Sequence, residues 1–238
     1  MIKIGIIISI NMEVYYLLKY LTNIKFYNFI NFKIYKGFWN NIKIIIFQTN
    51  IGKVNSTIGT TLLIEKFKVN MIINVGTSGS ISKKIKINNI ILSKKTAYYD
   101  TNINFINNFK KHELNNSNYF NLNIKLISCF EMCINKIKNK YKKGLIVSGD
   151  YFIDNKIAIN NIKKKFPKAI AIDMESASIS HVCYLFNKPC VILRIVSDLS
   201  CDNSIKIFKK NVNNISLKIS NIINIFLKKY IYKNFNLL

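Results

Sequence analysis

Five of the eleven acidic residues in this 238-residue chain stand at or just beyond the end of an apolar run that reads as a buried strand. Glu13 follows Lys3–Ser9, and Asp150 follows Gly144–Ser148. Asp173 and Glu175 follow Ala169–Ile172, and Asp198 closes the run that begins at Pro189. That last run also holds Arg194, the sole arginine, while Gly76-Thr77-Ser78-Gly79 follows Met71–Val75. In open α/β sheets, ligands bind outside the carboxyl ends of the strands. One acid in such a place reads equally well as a cap for the next helix. Five of them, with the only arginine, describe a polar cleft for a small molecule. Carboxylates that converge on one cleft suit cleavage of a glycosidic bond. That reaction needs an acid for the leaving group and a base for water, around an oxocarbenium-like transition state. A further carboxylate can grip sugar hydroxyls.

These residues need elements to hold them, and short apolar runs alternate with stretches of helical period along the chain. Helices are expected at Glu13–Leu21, Gly52–Lys68, Asn121–Lys140, Asn155–Phe166, Glu175–Phe186 and Ser204–Tyr230. Strands are expected at Phe32–Phe38 and Ile42–Gln48, joined by a turn at Trp39-Asn40-Asn41, and in residues 88–99, besides the runs above. The polar stretch Lys110–Asn123 reads as a surface loop or lid. Strands and helices in this alternation imply an α/β fold, a three-layer sandwich with a central mixed β-sheet flanked by helices. No linker and no internal repeat interrupts it, so residues 1–238 are expected to form a single domain.

The formal charge of +25 first suggests a polyanion partner. Its make-up argues otherwise. Of 36 basic residues all but Arg194 are lysine, whereas phosphate-binding surfaces also use the bidentate guanidinium fork. Lys, Asn, Ile, Tyr and Phe are swollen together, as a base-composition bias would make them. No nucleic-acid partner is therefore expected. No apolar run approaches the roughly 18 residues of a membrane span, so no membrane partner is expected either. Five cysteines without a CxxC pair, and isolated His112 and His181, read as reduced thiols in a cytoplasmic protein with no metal site and no cofactor.

The motifs themselves carry a family likeness. Lys3-Ile4-Gly5-Ile6-Ile7 leading to Glu13-Val14, Asn50-Ile51-Gly52-Lys53-Val54 and Ile73-Asn74-Val75-Gly76-Thr77-Ser78-Gly79 come first. They are followed by Gly144–Asp150 with Phe152-Ile153, then Phe166–Ala169, Asp173-Met174-Glu175-Ser176-Ala177 and Arg194-Ile195-Val196-Ser197-Asp198. In this order and spacing the chain resembles the 5′-methylthioadenosine/S-adenosylhomocysteine nucleosidases, within the purine nucleoside and uridine phosphorylase superfamily. The resemblance implies hydrolysis of adenosine thioethers to adenine and a thioribose, on a nucleoside phosphorylase-like fold. It implies that Asp198 protonates N7 of adenine, helped by Ser197, and that Glu13 activates water near Arg194 and Thr77. Glu175 would bind the ribose hydroxyls, with Met174 against the sugar. Phe152 would stack on adenine and the Ile153 backbone would read its edge. Ser78 and Gly79 would line the same wall, and Ile51, Ile103 and Phe208 would form the pocket for the 5′-alkylthio group. A homodimer, with part of that lining from the neighbouring subunit, is implied too. The acid must hold a proton while the base stays ionised, and a nearby Arg194 is expected to keep Glu13 charged.

Two departures stand out. The family's first loop reads Gly-Ala-Met-Glu-Glu-Glu, and here Ile8-Ser9-Ile10-Asn11-Met12-Glu13 keeps only the last acid. The family's Gly-Ser-Ala-Gly is Gly76-Thr77-Ser78-Gly79, which preserves a hydroxyl. Thr77, Ser78, Asp150 and Asp173 also read as helix caps or supporting residues, and Met174, Phe152, Ile51, Ile103 and Phe208 as core side chains. A purine nucleoside phosphorylase, attacking with phosphate, is the nearest alternative activity. A Lys-rich binding protein on the same fold is the other.

Overall fold

A computed structural model of the chain describes residues 1–101, 119–201 and 203–229. In chain order its elements are β1 (Lys3–Ile8), α1 (Asn11–Leu18), β2 (Thr22–Phe29), β3 (Phe32–Trp39), β4 (Ile42–Gln48) and α2 (Lys53–Glu65). Then come β5 (Met71–Ser80), β6 (Ile90–Tyr98), β7 (Phe120–Asn121), α3 (Ile124–Lys136), β8 (Tyr141–Ser148) and α4 (Lys156–Lys165). The last four are β9 (Ala169–Asp173), α5 (Ser176–Leu185), β10 (Cys190–Asp198) and α6 (Ser204–Lys229).

The strands form one mixed sheet in the order β10-β6-β8-β9-β5-β1-β4-β3-β2, with β7 on β6. The sheet also closes on itself, because β10 pairs with β5. Strand β5 makes this possible by its length. Its first half runs parallel to β1 (Ile4 opposite Met71, Ile7 opposite Asn74), and its far end meets β9 (Gly79 opposite Ile172). Along nearly all of it lies β10, from Cys190 opposite Ile72 to Asp198 opposite Gly79. Helices cover both sides of the sheet, with α1 and α3 packed on α6 and α2 packed on α5. Strands β1 and β10 are buried almost end to end, which is why they read as continuous apolar runs rather than as alternating ones.

Several boundaries differ from the sequence reading for local reasons. The strand expected at Met71–Val75 continues through Gly76–Gly79, which form the second half of β5. Strand β2 has no counterpart in the reading because nearly all its side chains are exposed, so no buried face stamps a pattern on it. Helix α3 is shorter than Asn121–Lys140: β7 takes Phe120 and Asn121, and the Asn123 side chain caps the helix by accepting from the Leu126 amide at 2.9 Å. Helix α1 starts two residues before Glu13 and ends at Leu18, with Tyr20 and Leu21 in a turn behind it.

The β2–β3 hairpin turns at Ile30-Asn31, and Ile30 sits at φ 57° with its side chain 73% exposed. A β-branched residue pays a steric penalty in this left-handed region and gains no burial here. Ile30→Asn should therefore stabilise the protein by about 1 kcal/mol, read as a rise in Tm of roughly 2–4 °C. An unchanged or lower Tm would show that the turn is not strained.

Candidate active site

At the end of the closed part of the sheet lies a cavity of about 290 Å³, at the small end of the range for small-molecule pockets. Its wall takes in Glu13 from α1, Ile51 ahead of α2, and Gly76, Thr77, Ser78 and Gly79 from β5. Phe152 and Ile153 come from the segment after β8, and Met174 and Glu175 from the junction of β9 and α5. Arg194, Ser197 and Asp198 come from β10, and Phe208 from α6. The sequence reading's site residues thus meet around one space, apart from Ile103, which lies outside the described residues.

Asp173 is the structural centre of the site. One carboxylate oxygen takes the Arg194 Nε proton at 2.8 Å and is also bonded by the Ser176 hydroxyl. The other accepts from the Ser148 hydroxyl at 2.5 Å and from the amides of Glu175 and Ser176 at 3.3 and 3.2 Å. It therefore caps α5 while it clamps the guanidinium, which matches its reading as a supporting residue. Arg194 also donates through Nη2 to Asn74 Oδ1 at 2.5 Å, and Asn74 in turn donates to the Ile7 carbonyl at 3.1 Å.

The three remaining carboxyls have different surroundings. Glu13 is buried and accepts amide hydrogen bonds from Thr77, at 3.2 Å, and from Ile10. Thr77 thus serves through its backbone. A Cβ at Gly76 would stand 3.1 Å from Glu13 Oε1 and 3.4 Å from Arg194 Nη1, so glycine there lets both groups close on the strand. Glu175 accepts from the Gly52 amide at 3.1 Å, which anchors the start of α2 to the site. Gly52 holds φ 104°, a conformation that favours glycine. Asp198 receives the Ser200 amide at 2.9 Å on one oxygen, and the Ser197 hydroxyl lies 2.8 Å from the other. Asp150 accepts from the Lys53 amide at 2.8 Å and so caps α2, with Lys53 Nζ also 2.6 Å from Asp100.

One expectation is corrected by these contacts. Arg194 does not keep Glu13 in the ordinary ionised range. Its Nε and Nη2 are taken up by Asp173 and Asn74, its Nη1 donates to the Leu193 carbonyl, and burial dominates: the Glu13 carboxyl is pushed up to about 8, with Arg194 opposing and Glu175 adding to the shift. Glu175 is pushed up to about 7, first by burial and then by Asp173.

Comparison with known proteins places the chain in a family. Residues 3–228 match the family model described as the phosphorylase superfamily. A 5′-methylthioadenosine/S-adenosylhomocysteine nucleosidase from Buchnera aphidicola subsp. Acyrthosiphon pisum (strain Tuc7) is 38% identical over 232 residues. That match covers 96% of this chain and 99% of the relative. The chain belongs to that nucleosidase family. The Neisseria meningitidis member, solved with methylthio-immucillin-A, superposes with a TM-score of 0.90 at 24% identity, covering 96% of this chain and 99% of its own. A Helicobacter pylori futalosine hydrolase superposes nearly as well, at 0.89 and 24% identity over 96% of this chain and 98% of its own. Fold likeness is thus shared by two hydrolases with different names.

The sequence reading passed over Asn74, the buried partner of Arg194, although it was visible as the one polar residue in an otherwise apolar strand run. It also passed over several residues of the wall. Ile205 follows from Phe208 by helical spacing, three residues away, and Lys209 from Ile205, four residues away, since positions three and four apart share a face. Ser9, Ile10, Tyr151 and Ser200 also line the cavity, and no spacing rule points to them. The Ser78 and Ser200 hydroxyls are buried there without a partner among the described residues.

The raised Glu13 carboxyl has a consequence for stability. With a folded value near 8 against an ordinary 4.5, the folded protein holds a proton that the unfolded chain releases. Stability is therefore lost progressively as pH climbs from about 4.5 to about 8. Glu13→Gln keeps the shape and removes this loss, so its Tm should exceed that of the wild type by at least about 2 °C at pH 8. The gap should close towards pH 4.5. A variant no more stable than the wild type at pH 8 would contradict the desolvated carboxyl.

Proposed function

We propose that the protein hydrolyses the N-glycosidic bond of 5′-methylthioadenosine and S-adenosylhomocysteine, releasing adenine and a 5-thioribose derivative. The observation that carries this reading is the meeting of Glu13, Glu175 and Asp198 on one cavity in a chain 38% identical to a nucleosidase of that name.

In the proposed reaction Asp198 gives its proton to N7 of adenine, so that the base leaves neutral, and the Ser197 hydroxyl orients the carboxyl. Positive charge gathers on the ribose as the bond to C1′ breaks. Glu175, with Gly52 behind it, accepts hydrogen bonds from the ribose hydroxyls, and Met174 packs against the sugar. Phe152 stacks on adenine beside the Ile153 backbone, while Thr77, Ser78 and Gly79 form the wall facing it. Glu13 takes a proton from water as the oxygen attacks C1′. A base is most effective when its affinity for the proton lies near the working pH, and burial brings Glu13 to about 8. The desolvation that defeats simple ion pairing thus makes this carboxylate a stronger base. Ile51 and Phe208 hold the 5′-alkylthio group.

Water is favoured over phosphate because the one arginine that lines the cavity is already engaged. Arg194 is held by Asp173 and Asn74, so a phosphate dianion would find no uncommitted guanidinium there. Adenine release from methylthioadenosine should run at the same rate with and without phosphate, giving free methylthioribose. Ribose 1-phosphate chemistry among the products would instead identify a phosphorylase. Asp198→Asn should lower kcat by at least about 100-fold in a folded protein, the usual scale for loss of a general acid. Retained turnover would remove Asp198 from that role.

The reading includes a cytoplasmic homodimer. Val54 and Ile58 on α2 and Ile51 just ahead of it are exposed, and Ile51 also lines the cavity, so a second copy on this surface would reach the mouth of the site. Light scattering should give twice the chain mass, and Val54→Lys should halve it. A monomeric wild type would refute the dimer. No helix among the described residues is long and apolar enough to cross a membrane. The cysteines there are free thiols, which suits a reducing compartment.

A further inference from the structure

We propose that Lys209 is a specificity-determining residue at the mouth of the cavity, where its ammonium group receives a carboxylate carried on the substrate's 5′ substituent. The proposal deepens the nucleosidase reading and rests on it. It divides the two named substrates, since the homocysteine tail of one ends in a zwitterionic amino acid whose carboxylate can turn to Lys209 while its ammonium faces solvent, and the methylthio group of the other carries no charge.

The placement follows from α6. Ile205, Phe208 and Lys209 stand at positions i, i+3 and i+4 of the helix, so they share a face, and all three line the cavity. Phe208 is half-buried, whereas Ile205 and Lys209 are exposed. The stripe therefore runs from an apolar wall, fit for a thioether, to a charged group at the solvent edge. Among the described residues Lys209 forms no ion pair, and the first turn of α6 holds no acid to neutralise it.

The interior gives the charge its direction. Glu13, Asp173, Glu175 and Asp198 face the cavity, and the one cation among them, Arg194, is bound to Asp173. A carboxylate on the substrate therefore finds no uncommitted cation at that depth and meets an unpaired one at the mouth. Such a molecule is thereby steered to enter base first with its tail outward. An exposed ion pair of this kind is weak, and its contribution corresponds to about a two- to five-fold change in affinity.

The test compares kcat/KM for S-adenosylhomocysteine and for methylthioadenosine in the full chain carrying Lys209→Met, Lys209→Glu or Lys210→Met. Lys210 neighbours Lys209 without lining the cavity, so it controls for general surface charge. Lys209→Met should lower the value for S-adenosylhomocysteine about two- to five-fold, and Lys209→Glu should lower it further. Methylthioadenosine should stay within about 1.5-fold, and high salt should shrink the wild-type preference. Lys210→Met should leave the ratio unchanged. Equal changes for both substrates, no change for either, or the same effect from Lys210→Met would overturn the proposal. A wild type that releases adenine from neither substrate would instead defeat the nucleosidase reading itself.

Discussion

Arg194 and Asp173 form an ion pair almost wholly removed from water, and the geometry of the site depends on it. Such a pair is tolerable only when every remaining donor and acceptor is satisfied. Here the surplus capacity of both groups is what ties the elements together. Asp173 at the end of β9 reaches β10 through Arg194, β8 through Ser148, and the first turn of α5 through its amides. Arg194 reaches β5 through Asn74, and Asn74 reaches β1 through the Ile7 carbonyl. Five strands and a helix are thus registered against one another by a single charged cluster, where apolar packing alone would allow small slips. Removing one partner of a buried pair typically costs about 3–5 kcal/mol, because the other is left uncompensated.

That clamp also explains how chemically similar groups can take different tasks. With Arg194 committed to Asp173, the neighbouring Glu13 is left with two amides and little else, and desolvation dominates its proton affinity. Glu175 lies on the other side of the same cluster, with its amide on Asp173 and its carboxyl on Gly52. Its orientation is therefore fixed from both ends of the residue. Asp198 stands outside the clamp and belongs to a tight turn, where Ser200 at φ 53° turns its amide back onto the carboxylate. The strained backbone at Ser200 is a local cost that serves to aim one side chain.

Much of this was legible in the sequence, for an identifiable reason. The strands around the cavity are buried on both faces towards their carboxyl ends, so β1, β8, β9 and β10 announce themselves as apolar runs there, and their ends locate Glu13, Asp150, Asp173 and Asp198. Strand β2 carries no such signal because its side chains face solvent. The continuation of β5 through Gly76–Gly79 was hidden by residues that usually break strands. They persist in this one because small side chains are needed where Glu13, Arg194 and Asp198 crowd its end. The partner of Arg194 was not legible either. Asp173 and Glu13 lie on equally plausible strand ends, and only the three-dimensional arrangement decides which of them the guanidinium meets.

The excess of lysine takes a different meaning once the interior is known. On the β3 surface Lys36 is pulled below its usual range by partial burial and by Lys43, Lys66 and Lys25, so the fold tolerates clustered like charges there. Water and salt screen such groups within roughly 8–10 Å, which keeps most of the +25 from reaching the site. A charge matters to chemistry only where geometry brings a ligand against it in a place of low screening. Among the residues that line the cavity, the basic ones are Arg194 and Lys209. The first is spent on structure deep inside, and the second is exposed at the edge of the cavity, where the proposed selection would act. The same positive charge therefore acts as scaffold, background or selector according to depth alone.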